Sequence, residues 1–276
     1  METIPVMVNG LPGNMAANAV RHMVRDTRFR VVPHSLTGPD IPEKEVRVQD
    51  TDFFLIHPPE HEAALGTIKE QEPHVLTVDY THPTAVCANA ALYCRWKLPF
   101  VMGTTGGDRE RLVSLVQGSE ICAVIAPNMA KQIVGFQAMM EYAATRYPGL
   151  FKGYSLTIEE SHQKGKADTS GTARAMVGCF NAMGIPFAPE KITMIRDPEM
   201  QRAVWKIPEE HLAGHGWHTY TLTSPDGTVR FVFTHNVNGR DVYAQGTLDA
   251  VTYLHGKVRT GERGRVFSMI DVLEGR

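Results

Sequence analysis

The chain has 276 residues, 43% of them hydrophobic and 21% charged, with 28 basic against 30 acidic side chains and a net charge of −2. That balance, without a dense basic block, argues against a nucleic-acid binder, and no apolar run reaches the length of a membrane span. The length allows a substantial core in one or two domains, and Cys87, Cys94, Cys122 and Cys179, without Cys-x-x-Cys spacing, point to reduced thiols rather than a zinc site.

The N-terminus, Met1-Glu-Thr-Ile-Pro-Val, leads straight into a strand, with no signal or transit peptide in view. A cytoplasmic protein is expected, or a plastid-stroma form if the source is a photosynthetic eukaryote. Short apolar runs at 6–8, 29–32, 53–56, 75–78, 100–102 and 121–125 read as strands. Amphipathic stretches separate them, the first using Met15, Ala19, Val20 and Met23. Pro83 opens one of these helices, where its missing N–H costs nothing. Strands alternating with helices predict right-handed βαβ units and a Rossmann-type doubly wound parallel sheet.

From about Lys131 the pattern changes. A long helix runs to about Tyr147, and a strand follows at 154–158. Ala173, Met176, Val177, Phe180 and Met183 then recur at helical spacing. Asp168, Thr169 and Ser170 are candidate N-caps, and Gly184 with Pro186 is the stop. A strand near 192–195 precedes two longer ones, 218–223 and 228–233, joined by Pro225-Asp-Gly227 as a hairpin. This half predicts a second α+β domain with a mixed or antiparallel sheet. The tail from about Gly246 reads as helical again, ending in residues 266–270.

Two regions carry chemistry. Asn9-Gly-Leu-Pro-Gly-Asn-Met-Ala16 follows the first strand and opens the first helix. Gly10 permits the tight turn, Gly13 a close backbone approach, and Ala16 sits where a third glycine is common. Pro12, Asn14 and Met15 complete this relaxed dinucleotide fingerprint. The acid expected at the end of the second strand to bind ribose hydroxyls is missing before Asp40. Ser35 and Thr37 could instead donate to a 2′-phosphate, which favours NADPH and leaves NADH possible. Gly103-Thr104-Thr105-Gly106 and Ala126-Pro127-Asn128-Met129 follow later strands of the same sheet, where a cofactor crevice would lie.

The other region is Glu160-Ser-His-Gln-Lys-Gly-Lys-Ala-Asp-Thr-Ser-Gly-Thr-Ala173, a strand end, cationic loop and helix start. Free N–H groups at a helix start favour anions, Lys166 adds positive charge, and His162 can exchange a proton near neutral pH. The segment suits a carboxylated substrate; a solvated basic loop before a capped helix explains the same spacing. Mutual repulsion is expected to lower the pKa values of His162 and Lys166. The remaining histidines lack metal-ligand spacing, so no metal site is expected.

These residues resemble the 4-hydroxy-tetrahydrodipicolinate (dihydrodipicolinate) reductase family. The likeness rests on Gly10-x-x-Gly13-Asn-Met15, Val78-Asp-Tyr-Thr-His-Pro83, Gly103–Gly106, Ala126–Met129, Met269-Ile-Asp-Val-Leu273 and, most specifically, the loop from Ser161 to Thr172. Gln163, in place of a second histidine, is similar to the plant and cyanobacterial branch, as are residues 129–134 and Ile195-Arg-Asp-Pro198. The resemblance implies a dinucleotide-binding domain of residues 1–129 with 240–276 and a substrate-binding and oligomerisation domain of residues 130–239. It implies His162 as catalytic acid, Lys166 as second proton donor, and Gln163, Gly171 and Thr172 at the substrate. It further implies NAD(P)H-dependent reduction in lysine biosynthesis by a homodimer or homotetramer. Asn14, where a basic residue is usual, and Pro12 depart from the family pattern at the cofactor. The alternatives are another two-domain dehydrogenase of a small acid, or a protein that senses NAD(P) without turnover.

Overall fold

In the computed structural model residues 3–275 are described; Met1, Glu2 and Arg276, at the ends of the expected entry strand and domain, lie outside the described residues. In chain order the elements begin β1 (Ile4–Asn9), α1 (Asn14–Met23), β2 (Phe29–Val31), β3 (His34–Leu36), β4 (Glu45–Val48), β5 (Thr51–Ile56), α2 (His61–Gln71), β6 (Leu76–Asp79), α3 (Val86–Arg95), β7 (Phe100–Met102), α4 (Arg109–Gln117) and β8 (Cys122–Ile125). They continue with α5 (Lys131–Arg146), β9 (Ser155–His162), α6 (Gly171–Ala182), β10 (Thr193–Ile195), α7 (Pro198–Ala203), β11 (His215–Thr223), β12 (Arg230–Asn238), α8 (Asp241–Arg259), β13 (Arg265–Phe267) and α9 (Met269–Glu274). Two compact units result: Met1–Lys131 with Asp241–Arg276, and Gln132–Arg240.

The first unit is built on a six-stranded sheet of order β13-β8-β7-β6-β1-β2, parallel at every pairing. Strands β6, β7 and β8 are buried at every position, as a sheet covered on both faces requires. From β1 the chain moves outward to β2, then returns to place β6 on the other side of β1. That reversal opens a crevice at the carboxyl ends of β1 and β6, where ligands of such sheets bind.

Two expectations for this unit are corrected. Ser35 and Thr37 do not lie at the end of the second strand of the main sheet. Proline at 33 has no N–H to give a ladder, and the chain leaves the main sheet there; β3 joins β5 and β4 in a separate three-stranded sheet. The tail is not helical throughout, because Val266 and Phe267 lie in β13, paired with β8 at the sheet edge.

The second unit carries a mixed sheet of order β10-β9-β11-β12, with β10 parallel to β9 and the other pairs antiparallel. Buried positions alternate along β11, so one face meets a core in which Ile158, Tyr220 and Leu222 pack with Met176, Val177 and Phe180 of α6. Ser170 is the N-cap of α6, its Oγ accepting the Ala173 N–H at 3.0 Å. Gly184, at φ +98°, follows the helix end in the left-handed region. All four cysteines are free. Among the described residues no helix is long and apolar enough to cross a membrane.

Gly246 and Gly256 of α8 make a matched test of packing. A Cβ on Gly246 would lie 1.7 Å from the Met129 carbonyl oxygen, whereas one on Gly256 would meet nothing within 4 Å. Gly246→Ala is expected to cost at least about 2 kcal/mol. Gly256→Ala should add roughly 0.5–1 kcal/mol through helix propensity. Denaturant unfolding of both variants checks this; equal small effects would contradict the close approach.

Candidate active site

In the first unit the turn after β1 is shaped by what surrounds it. Gly10 has φ +105°, and a Cβ there would lie 2.3 Å from the Tyr80 carbonyl oxygen; one on Gly13 would lie 2.7 Å from the Gly10 oxygen. Only glycine fits such approaches. Helix α1 starts with no side-chain cap and no acidic residue in its first turn, leaving its N–H groups for an anion. Pro12, Gly13 and Asn14 are exposed there, and Met15 is half-buried.

Ser35 and Thr37 have a different role from the one expected. Ser35 Oγ accepts the Leu11 N–H at 3.1 Å, and Thr37 Oγ1 donates to the Leu11 carbonyl at 2.9 Å. Both residues are buried, so their hydroxyls hold the glycine turn rather than face a phosphate.

Asp79, at the end of β6, organises the neighbouring loops. One carboxylate oxygen accepts from the Thr81 N–H (3.0 Å), the Thr81 hydroxyl (2.8 Å) and the Thr104 hydroxyl (2.8 Å). The other accepts from Asn89 (3.0 Å) and from Tyr93 (2.7 Å), whose hydroxyl in turn accepts from Asn9 at 2.9 Å. A fully buried carboxylate held by neutral donors thus joins the loops after β1, β6 and β7. Thr104 is committed to it, while Thr105 is exposed. Gly103 leaves room for the Tyr80 ring, which a Cβ would meet at 2.3 Å, and the Tyr80 hydroxyl reaches Thr247 of α8. After β8, Ala126 and Met129 are buried, Pro127 is exposed, and Asn128 accepts the Ala130 N–H.

In the second unit His162 ends β9 opposite Gly216 of β11. A Cβ on Gly216 would stand 3.0 Å from His162 Cε1, so glycine makes room for the ring. His162 Nδ1 lies 3.0 Å from the His215 carbonyl, which can only accept, so Nδ1 carries the proton. Nε2 is buried without a partner, free to take a proton. Burial, then the nearby His218, pushes the imidazole down to about 4, against the opposing pull of Glu160. The neighbours that lower it are therefore His218, 5.1 Å away ring to ring, and then Arg196, and not Lys166 as expected. Lys166 is instead paired with Asp168 at 2.8 Å.

Glu160 lies beneath this loop, fully buried. It accepts from Arg196 on Oε1 and from the Ser170 N–H on Oε2 at 3.0 Å. Burial pushes its carboxyl up, but His218, Arg196 and Ser170 outweigh that and bring it down to about 2. Ser170 Oγ also meets His218 Nε2 at 2.9 Å, and Gln201 of α7 donates to the His162 carbonyl at 2.8 Å. With Ser170 capping Ala173, the N–H groups of Gly171 and Thr172 are left at the helix start, beside half-buried Gln163 and Lys166. Lys164 is exposed.

Glu160, His162 and His218 bring ligand atoms within 4.8 Å of one another, a grouping sequence spacing does not reveal. Both Glu160 oxygens are already bonded, one to a guanidinium whose charge opposes a cation there. Glu160, Arg196, Gln201 and His218 thus tie the end of β9, which carries His162, to the start of α6, which carries Gly171 and Thr172, with Gln163 and Lys166 on the loop between them. Of these additions Glu160 opens the Glu160–Ala173 stretch and Arg196 lies in the Ile195–Pro198 resemblance, while Gln201 and His218 carry no sequence signal.

His235 shares the depression, pushed down to about 4 by burial and then by His218 and His162. A pKa below the unfolded value of 6.5 contributes stability above pH 6.5 that is lost as the pH falls toward 4. The unfolding midpoint should therefore drop between pH 7 and pH 4.5, with a shallower slope in His235→Gln. Identical slopes would show that the fold does not hold this ring neutral.

Comparison with known proteins follows the same division. The N-terminal model of dihydrodipicolinate reductase matches residues 4–129 and the C-terminal model of the same enzyme matches residues 133–273. The chain is 46% identical over 270 residues to 4-hydroxy-tetrahydrodipicolinate reductase 2, chloroplastic, of Arabidopsis thaliana, covering 98% of this chain and 77% of that protein. To the enzyme of the cyanobacterium Thermosynechococcus vestitus it is 28% identical, covering 90% and 91%. The plant likeness is thus much stronger than the cyanobacterial one. Among solved structures, a dipicolinate-bound dihydrodipicolinate reductase from Paenisporosarcina sp. TG-14 superposes with a TM-score of 0.67 at 16% identity, covering 97% of this chain and 98% of that one. That match shows the shared fold. The chain belongs to the dihydrodipicolinate reductase family, whose members use NAD(P)H, and is an oxidoreductase.

Proposed function

We propose that this chain performs its family's reaction, reduction of 4-hydroxy-tetrahydrodipicolinate to tetrahydrodipicolinate in lysine biosynthesis, with His162 and Lys166 serving the substrate. The observation that carries this reading is that one strand end, loop and helix start hold an imidazole with an unpartnered Nε2, a lysine and, beyond the Ser170–Ala173 cap, the N–H groups of Gly171 and Thr172. Loss of the hydroxyl with a neighbouring ring hydrogen, as water, leaves a conjugated cyclic imine; one hydride and one proton then add across it, so that the net change is replacement of hydroxyl by hydrogen. NADPH, when bound, supplies the hydride.

The first unit supports dinucleotide binding through the Gly10–Gly13 turn and the uncapped start of α1, which suit a pyrophosphate. Pro12, Asn14 and Met15, with Gly103 to Thr105 and Ala126 to Met129, border the same crevice at the strand ends. The preference for NADPH rests on the missing carboxylate, since none occurs between Val32 and Pro39. Ser35 and Thr37 contribute by holding Leu11.

The second unit supports the dicarboxylate. Gly171 and Thr172 N–H groups with Lys166 take one carboxylate, and Gln163 lies beside them. Binding transfers Lys166 from Asp168 to the substrate. In the free protein His162 is neutral at pH 7, so it is a proton donor only after a dianionic ring raises its pKa. His162 Nε2 then delivers the proton as hydride arrives, and Lys166 serves as second donor. Edge strand β12, with Phe231 and Val232 exposed, supports self-association as a homodimer or homotetramer. The plant likeness supports a plastid setting.

A coupled assay supplying fresh 4-hydroxy-tetrahydrodipicolinate with NADPH or NADH tests the reading. Wild-type protein should oxidise NADPH. His162→Ala should lower kcat on the order of a hundredfold or more, as for a lost general acid. Lys166→Ala should lower kcat and raise KM together. No turnover with either cofactor, or an unimpaired His162→Ala, would overturn it.

A further inference from the structure

Arg196 follows β10, and four of its five hydrogen bonds are part-buried, only that to the Asp168 carbonyl being exposed. Its five N–H groups have five acceptors. Nε donates to the Lys166 carbonyl at 2.8 Å. One terminal nitrogen donates to the Glu160 and Ile195 carbonyls at 3.3 and 3.2 Å, and the other to Glu160 Oε1 at 2.5 Å and the Asp168 carbonyl at 3.3 Å. The Glu160 side chain is 0% exposed and that of Arg196 17%. The second Glu160 oxygen holds the Ser170 N–H. The pair therefore grips the cationic loop at Lys166, Asp168 and Ser170, the stretch that ends at the helix start offered to a carboxylate.

We propose that Arg196 is a positioning residue for substrate binding, its guanidinium locked on Glu160 so as to hold the Lys166–Ser170 backbone in the shape that presents Lys166 and the α6 N–H groups to a carboxylate. This rests on the substrate reading above. The charge alone is not sufficient. Lysine has three donors on a single nitrogen and cannot reach carbonyls on both sides of a carboxylate, so the planar fork is the required property. Glu160 is equally specific: its amide analogue keeps the shape but places an N–H against either the Arg196 or the Ser170 donor.

The test uses full-length Arg196→Lys, Glu160→Gln and the double variant. Each is measured for KM and kcat with the hydroxylated substrate, for Kd with dipicolinate, and for Kd with NADPH. Hydrogen exchange over residues 163–175 is followed alongside. Arg196→Lys should raise KM and the dipicolinate Kd at least about tenfold, the scale of lost charge-assisted hydrogen bonds. The NADPH Kd should stay unchanged, and exchange should quicken in the loop but not in β9 or β11. The double variant should be no worse than the poorer single, since both act through one clamp. Wild-type KM and dipicolinate Kd in Arg196→Lys would overturn the inference and leave the function intact. Loss of protection throughout the second unit would overturn it too, by making Arg196 a core support. A wild-type protein that neither turns over the substrate nor binds dipicolinate would remove the function and this inference together.

Discussion

The Glu160 carboxylate, fully buried and bonded on both oxygens, is the constraint from which the site of the second unit takes its shape. Burying a charge is costly unless partners replace its hydration. Here they do so while joining three elements: the end of β9, the residue after β10 and the cap of α6. His162 stands two residues further along β9, so the strand that carries the buried acid also aims the imidazole. The field of this site suits the proposed chemistry. A ring held neutral by burial and by His218 responds to an incoming dianion more sharply than a solvated histidine, because its charged form has most to gain there.

The nucleotide half solves a related problem by other means. Asp79 is also fully buried, yet its partners are two threonines, an asparagine and a tyrosine, with no cation bonded to it among the described residues. A neutral donor shell suits a crevice that must receive an anionic cofactor, because a paired arginine could desert the carboxylate for a phosphate. A hub of hydroxyls and amides has no such competing charge to follow. The two carboxylates thus act alike as junctions but differ in whether a mobile positive charge is part of the joint.

What was legible in the sequence is what depends on nearby residues. The glycine turn could be read because Gly10 takes a positive φ and Gly13 closes on the Gly10 carbonyl, although the approach of Gly10 to Tyr80 is long-range, and Ser170 stood among the expected caps because capping spans three residues. The family resemblance rested on the same short loops. Register between distant segments was not legible. Residues 34–37 looked like a strand end facing a ribose, but Pro33 diverts them into another sheet, where their hydroxyls serve Leu11. Val266 and Phe267 looked helical because a short edge strand carries no period of its own. Arg196 contacts partners 28 to 36 residues away, and His218 meets His162 only through the pairing of β11 with β9. The Ile195–Pro198 resemblance marks the segment of Arg196 but not its partners, and nothing near His218 marks its role.

The central claim is that His162 is neutral in the free protein and becomes protonated only against a bound dianion. Nitrogen chemical shifts of labelled histidine, followed from pH 4 to pH 8 with and without dipicolinate, measure this directly. The account predicts a neutral ring protonated at Nδ1 near pH 7, titrating close to about 4 when free, and an imidazolium at neutral pH once the dicarboxylate is bound. A ring that titrates near 6.5 in the free protein, or one that stays neutral in the complex, would contradict it.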